Sequence, residues 1–372
     1  MAEIYDCIIA GAGIIGLSTA WRVAQLGCSV LVVDSAPKRG ASWVAAGMLA
    51  PVTEAAFGEE KLLSLSLLSA SLYPAFLNEL TGATGMNLDS GVAGTLFVAL
   101  DRDQAEALKR LFEFQTSLGL ATQWLGASRC REMEPSLHPS AQAAILAAED
   151  KAVDPRLLLE ALAKALAGCD GEVRYGSRVV AMSGGDNPAV DLEGGDHIRA
   201  RSIVLSAGCW SGTIAGVPEE VTKAIRPVKG QIVRLRSRAG EPRLLSHVIR
   251  TEEVYLVSRP SGEIAVGATV EEKGYDRSLT AGSILELLKS ADEVAPGIRE
   301  MEFFEASAGL RPGTPDNAPI LGPTSVKGVI AATGHFRNGV LLAPVTAAAI
   351  ATLVAKGDTP PEIDGFSSAR FT

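Results

Sequence analysis

The sequence predicts an α/β fold of two structural units: one built on a strand, turn and helix that open the chain, the other α+β with a mainly antiparallel sheet. Three observations predict it. The chain has 372 residues, more than one domain usually holds. Ile4 to Ala10 is an apolar run of strand length, followed at once by a Gly-rich turn and a helical pattern through Leu26. From Val221 to Val270 apolar and polar residues alternate, as strands do, and a helix is expected from Ser283 to Val294.

Composition narrows the function classes. Hydrophobic residues at 47% and charged residues at 21% are near globular averages, so a large core is expected and disorder is not. A net charge of −9 argues against a nucleic-acid surface. An anionic ligand must therefore meet locally placed cations. No run of eighteen apolar residues or charged-then-apolar leader appears, so no membrane span and a cytoplasmic location are expected. Cys7, Cys28, Cys130, Cys169 and Cys209 form no CxxC pair and read as small core residues. The four histidines are dispersed, and no metal is expected.

Taken in order, the opening elements carry the first chemical signal. In Gly11-Ala12-Gly13-Ile14-Ile15-Gly16 the first glycine permits a tight turn, the second lets backbone approach a pyrophosphate, and the third lets helix and strand pack closely. Free N–H groups at the helix start meet negative charge. A second apolar strand, Ser29 to Val33, ends at Asp34, placed to accept from an adenosine ribose. A Rossmann-type dinucleotide unit is implied, although Gly-rich turns also arise for structural reasons alone. The segment Arg39 to Pro51 is so rich in Gly and Ala that something large must pack against it.

That segment, Gly40-Ala41-Ser42-Trp43-Val44-Ala45-Ala46-Gly47-Met48-Leu49-Ala50-Pro51, resembles the D-amino-acid oxidase family of flavoproteins, most closely its glycine oxidase branch. The resemblance recurs at Ser206 to Ser211, Arg226 to Gln231, Ala308 to Asp316 and Ala332 to Pro344. It implies noncovalent FAD, with an FAD-binding domain at 1–85, 148–220 and 305–372 and a substrate domain at 86–147 and 221–304. The cofactor residues it implies are Gly11, Gly13, Ile14, Ile15, Gly16, Asp34 and Ser35, then Ser42, Trp43, Ala46, Gly47, Met48 and Leu49 beside the ring. Val179, Gly208 and Trp210 follow, and His335, Phe336, Arg337, Asn338, Gly339, Val340 and Leu341 complete the set.

The last of those segments reads as a strand from Gly328 to Ala332, a Gly-bounded loop, and a helix from about Val340 to Leu353 whose start faces the flavin. Other helices are expected at Glu60 to Leu80, Asp103 to Leu118 and Pro155 to Ala167, the last capped by Asp154. Short strands are expected from Arg174 to Leu192, and Glu271 to Tyr275 reads as a charged surface loop.

Arg311 and Arg337 sit in otherwise apolar or Gly-rich segments. An arginine fork matches a carboxylate through two charge-assisted hydrogen bonds, so each is a candidate substrate anchor. Each is equally a candidate for an internal ion pair, with Asp316 beside Arg311. Tyr255 lies in a strand-like run where aromatic packing is the ordinary role; the resemblance gives its hydroxyl to the substrate carboxylate, adds Arg311 and Arg337 as substrate-binding residues, and sets Met48 beside both the flavin and the substrate. Glu253 and Val270 depart from the family pattern, where histidine and methionine stand, so the pocket rim is expected to differ and a substituted amine to be preferred.

The resemblance implies an oxidase of glycine or a small N-substituted glycine such as sarcosine or iminodiacetate. Hydride passes to flavin N5, the imine hydrolyses to glyoxylate, and oxygen becomes hydrogen peroxide, in thiamine synthesis or in catabolism. No histidine or glutamate general base stands in the motifs, so positioning carries the catalysis. Two alternatives stay open: a D-amino-acid or proline-type dehydrogenase with another electron acceptor, and a non-catalytic flavin-binding or tRNA-modification subunit. The partners expected are a small amino-acid substrate, molecular oxygen and a possible second copy of the chain.

Overall fold

The computed structural model describes residues 4–89, 91–238 and 240–372. Its first sheet reads, edge to edge, Ile320–Pro323, Val329–Thr333, His197–Leu205, Tyr5–Ala10, Val30–Asp34 and Glu172–Tyr175. All neighbours are parallel except the first pair. The apolar runs Tyr5–Ala10 and Val30–Asp34 are buried on both faces, as central parallel strands are. Cys7, Ile9, Val30 and Val32 pack on Trp21, Leu162 and Ile350 of the helices Ile14–Gln25, Pro155–Ala167 and Ala343–Lys356. Ile8, Ala10, Leu31 and Val33 pack on the opposite layer, with Val179, Val190 and Ile320.

The second sheet runs Glu302–Gly313, Arg226–Arg236, Glu263–Gly267, Tyr255–Ser258, Val248–Arg250, Thr95–Ala99, Ala143–Ala147 and Gln123–Gly126. Its pairs are antiparallel except Val248–Arg250 with Thr95–Ala99. One face packs Leu256, Val266 and Leu96 on Leu287, Ala291 and Val294 of the helix Ala281–Val294. The other presents Ile232, Val248, Val257 and Ala265 to Ala46, with Met48 and Tyr255 at the edge.

Several expectations are corrected. Arg226–Arg236 is buried almost throughout instead of alternating, because both its faces are covered, and it follows a short helix, Glu219–Thr222. The last helix starts at Ala343, three residues late, because Pro344 has no N–H for the Val340 carbonyl, which accepts from the Tyr73 hydroxyl instead. Glu271 to Tyr275 is a surface loop as expected, tied down by the Tyr275 hydroxyl donating to the Cys209 carbonyl at 3.1 Å. Cys28 and Cys169 lie at the margin of the core, whereas Cys7, Cys130 and Cys209 are buried within it. Asp154 caps its helix as expected, accepting from Arg156 N at 2.9 Å. Among the described residues no helix is long and apolar enough to cross a membrane.

Candidate active site

A cavity of about 790 Å³ runs between the two sheets. It begins at the Gly-rich turn. Gly11 has φ 109°, and a Cβ there would meet the Ser206 carbonyl oxygen at 2.6 Å; a Cβ on Gly16 would lie 1.9 Å from the Gly11 carbonyl oxygen. The turn is locked from both sides: Asp34 accepts from the N–H groups of Ala12 (2.7 Å) and Ala36 (3.0 Å), and the Ser206 hydroxyl donates to Ala10 and Gly11 carbonyls. Two carboxylate oxygens have more acceptor sites than those two bonds use, so Asp34 keeps capacity for a ribose.

The middle of the cavity is walled by residues 44–48 and by 335–341. His335 is buried with Nε2 3.1 Å from the Thr346 hydroxyl, and desolvation pulls its pKa down to about 3. Burial therefore favours its neutral form. Of the sequence-predicted residues, all line the cavity except Gly16, Trp43 and Leu49. Gly16 acts through packing, Leu49 points into the core, and Trp43 lies under the Arg156 guanidinium at 4.6 Å.

At the far end stand Tyr255 and Arg311. In-register pairing sets Tyr255 opposite Gly267, and a Cβ on that glycine would lie 2.4 Å from the phenol oxygen. A Cβ on Gly230 would lie 2.4 Å from Arg311 Nη1. The two glycines are the floor on which phenol and guanidinium rest. Burial raises the Tyr255 pKa, while the Arg311 charge opposes it. Arg311 donates to the Thr269 carbonyl at 3.0 Å, and no carboxylate lies within ion-pair distance of it among the described residues. Asp316 pairs instead with Arg370, at 2.8 Å.

Arg337 differs. Its Nε is 2.9 Å from Glu54 and its Nη2 is 3.1 Å from Glu59, so its charge is already matched. Glu54 also pairs with Arg250. Sequence reasoning missed Glu54, Arg250 and Gly230, whose partners lie far off in the chain, and Gly267, whose partner Tyr255 is set by hairpin register. The only local signal was Gly230 inside an otherwise strand-like run. Glu253 and Val270, the departures from the family pattern, both line the cavity.

The family profile described as FAD-dependent oxidoreductase matches residues 6–353. The chain belongs to this family. Among the relatives of this FAD-dependent oxidoreductase is the glycine oxidase of Geobacillus kaustophilus, 31% identical over 100% of this chain and 98% of that protein. The crystal structure of glycine oxidase from the same species superposes with a TM-score of 0.91 at 30% identity, covering 99% of both chains. Iminodiacetate oxidase from Chelativorans sp. BNC1 superposes at 0.86 with 25% identity, over 97% of this chain and 98% of that one.

The residues present fit the cofactor. The Gly11 and Gly13 turn leaves no side chain where a pyrophosphate approaches, Asp34 ends the second strand, and the volume lies within the roughly 300–1,000 Å³ of ligand cavities. The cofactor of this oxidoreductase is FAD.

Proposed function

We propose that the protein oxidises glycine or a small N-substituted glycine, using oxygen as acceptor and releasing hydrogen peroxide. The observation that carries this reading is the Arg311 guanidinium, unmatched by any acid among the described residues, beside the Tyr255 hydroxyl at the inner end of the FAD cavity. A monocarboxylate supplies what that pair lacks. Bound FAD supplies the two-electron acceptor for the substrate's α-C–H bond. The protein's residues orient: Arg311 and Tyr255 hold the carboxylate, Met48 and the 335–341 loop shape the adjoining wall, and Glu54 and Arg337 line the cavity as a matched pair. Burial pulls the His335 pKa down to about 3, which makes it too weak a base to take the amine proton; that proton leaves to water, and the substrate reacts as its free amine. The imine formed hydrolyses in water to glyoxylate.

In the same reading the FAD-binding part comprises the first sheet and its helices, and the last crossing back to it follows Gly313, because Glu302–Gly313 pairs with Arg226–Arg236 in the other sheet. The test is peroxide release by the yellow protein with glycine, sarcosine, iminodiacetate, D-alanine and D-proline at equal concentration. Turnover of a glycine supports the proposal. Anaerobic bleaching without peroxide means another electron acceptor, and no reduction by any amine overturns it.

A further inference from the structure

Four consecutive carbonyls, those of Trp43, Val44, Ala45 and Ala46, are drawn into a cluster of three arginines. Trp43 O accepts from Arg156 Nε at 3.1 Å, Val44 O and Ala45 O accept from Arg234 Nη2 at 3.4 and 3.3 Å, and Ala46 O accepts from Arg259 Nη2. Arg234 and Arg259 are 1% and 2% exposed, unusual burial for a permanent cation. Each arginine has an acid: Arg156 grips Glu305 with two bonds of 2.9 and 2.6 Å, Arg234 meets Glu263 at 2.5 Å, and Arg259 Nε lies 4.0 Å from Asp154.

None of these six charged residues lines the cavity, whereas Val44, Ala45, Ala46 and Gly47 do. The segment is therefore a wall with the arginine cluster behind it. A planar trans peptide points its N–H opposite to its carbonyl. With the Ala45 and Ala46 carbonyls turned to the cluster, the N–H groups of Ala46 and Gly47 turn the other way, and neither has a hydrogen-bond acceptor among the described residues. The facing wall is arranged alike: Ser69 and Tyr73 hydroxyls hold the Leu341 and Val340 carbonyls.

We propose that Arg156, Arg234 and Arg259 are positioning residues that keep the cavity wall at 44–47 donor-lined, by withdrawing its carbonyls and leaving the Ala46 and Gly47 N–H groups for the electron-accepting ring of FAD. This rests on the reading that the ring lies beside residues 42–49. Donors there stabilise the negative charge that reduction adds, and carbonyls in their place oppose it. The charges of the cluster themselves cancel, three cations against Asp154, Glu263 and Glu305, so the effect travels through peptide orientation.

The experiment uses the FAD-loaded enzyme and its variants Arg234→Lys, Arg259→Lys and Arg156→Gln. Lysine keeps the charge but not the fork, so part of the carbonyl set is released. The reduction equilibrium of bound FAD is expected to fall about tenfold in the two lysine variants, a midpoint potential about 30 mV lower, with kcat for glycine down about tenfold. KM should stay within about twofold, because Arg311 and Tyr255 are untouched. Arg156→Gln, at a less deeply buried site that holds only Trp43 O, should shift the potential in the same direction by less. Should the lysine variants fail to fold, this variant decides. A lower melting temperature with unchanged potential and kcat means a structural role and overturns the proposal. Wild-type protein that takes up no FAD overturns the cofactor reading instead.

Discussion

Arg311 and Arg337 line one cavity and carry the same charge, but Arg337 is matched by Glu54 and Glu59 while Arg311 has only a carbonyl and a phenol beside it. A substrate carboxylate therefore gains most from Arg311. A charge-assisted hydrogen bond is worth about 1.5–3 kcal/mol, so Arg311→Ala should raise KM for glycine by roughly 10–100-fold with the flavin spectrum intact. Arg337→Ala should change KM only a few-fold, because it removes a partner of Glu54 rather than of the substrate. Equal losses in steady-state kinetics of the two variants would refute the division of labour. Arg311 stood out in the sequence as an arginine in apolar, Gly-rich surroundings, whereas Tyr255 read as strand packing until the family resemblance was taken into account. That Glu54 neutralises both Arg250 and Arg337 was not legible, since those pairs close across about two hundred residues or more and no local pattern encodes them.

At the scale of elements, the opening strand, turn and helix were legible because apolar periodicity and three spaced glycines are local signals. The floor glycines were not, because their meaning comes from strand register. Gly230 lies in Arg226–Arg236, and a Cβ there would lie 2.4 Å from Arg311 Nη1. Gly230→Ala is expected to shift the guanidinium and raise KM about tenfold, with kcat less affected, which kinetics on glycine and sarcosine will read.

The segment after the flavin wall adds a pH dependence. Asp150 accepts from Val52 N, Thr53 N and the Thr53 hydroxyl, yet burial dominates and pushes its pKa from 3.8 up to about 6. Between pH about 4 and 6 the folded protein keeps a proton that the unfolded chain has released, so stability from this site is full at low pH and is lost as pH rises through 6. The loss is on the order of 3 kcal/mol at about 1.36 kcal/mol per pKa unit. Urea unfolding of wild type and Asp150→Asn from pH 4 to 7 should show the wild type losing stability relative to the variant; parallel curves would mean Asp150 does not titrate there.

At the scale of the molecule, the return of related motifs in distant segments suggested two interleaved units but not that Glu302–Gly313 pairs in the second sheet, because register with Arg226–Arg236 is not a local signal. The parallel pairing of Thr95–Ala99 with Val248–Arg250 was not legible either, since both strands look alike in either direction. Both sheets contribute to the cavity lining; Arg250 and Glu54 pair within that lining, while Arg234 and Arg259 hold 44–46, and Arg156 holds Glu305, from behind it. In the proposed reading FAD fills this cavity, whose lining comes from both sheets, so its binding free energy should stabilise the molecule as one body. At a hundredfold excess over Kd a ligand contributes about 2.7 kcal/mol. With an unfolding entropy of about 2.1 cal/mol/K per residue, that raises Tm by roughly 3 °C. Calorimetry of FAD-loaded protein should show one transition, coincident with release of flavin fluorescence, and apoprotein should melt a few degrees lower. Two separate transitions in the loaded protein, or flavin release well below the main transition, would mean that the sheets unfold independently and that FAD is held by the first sheet alone.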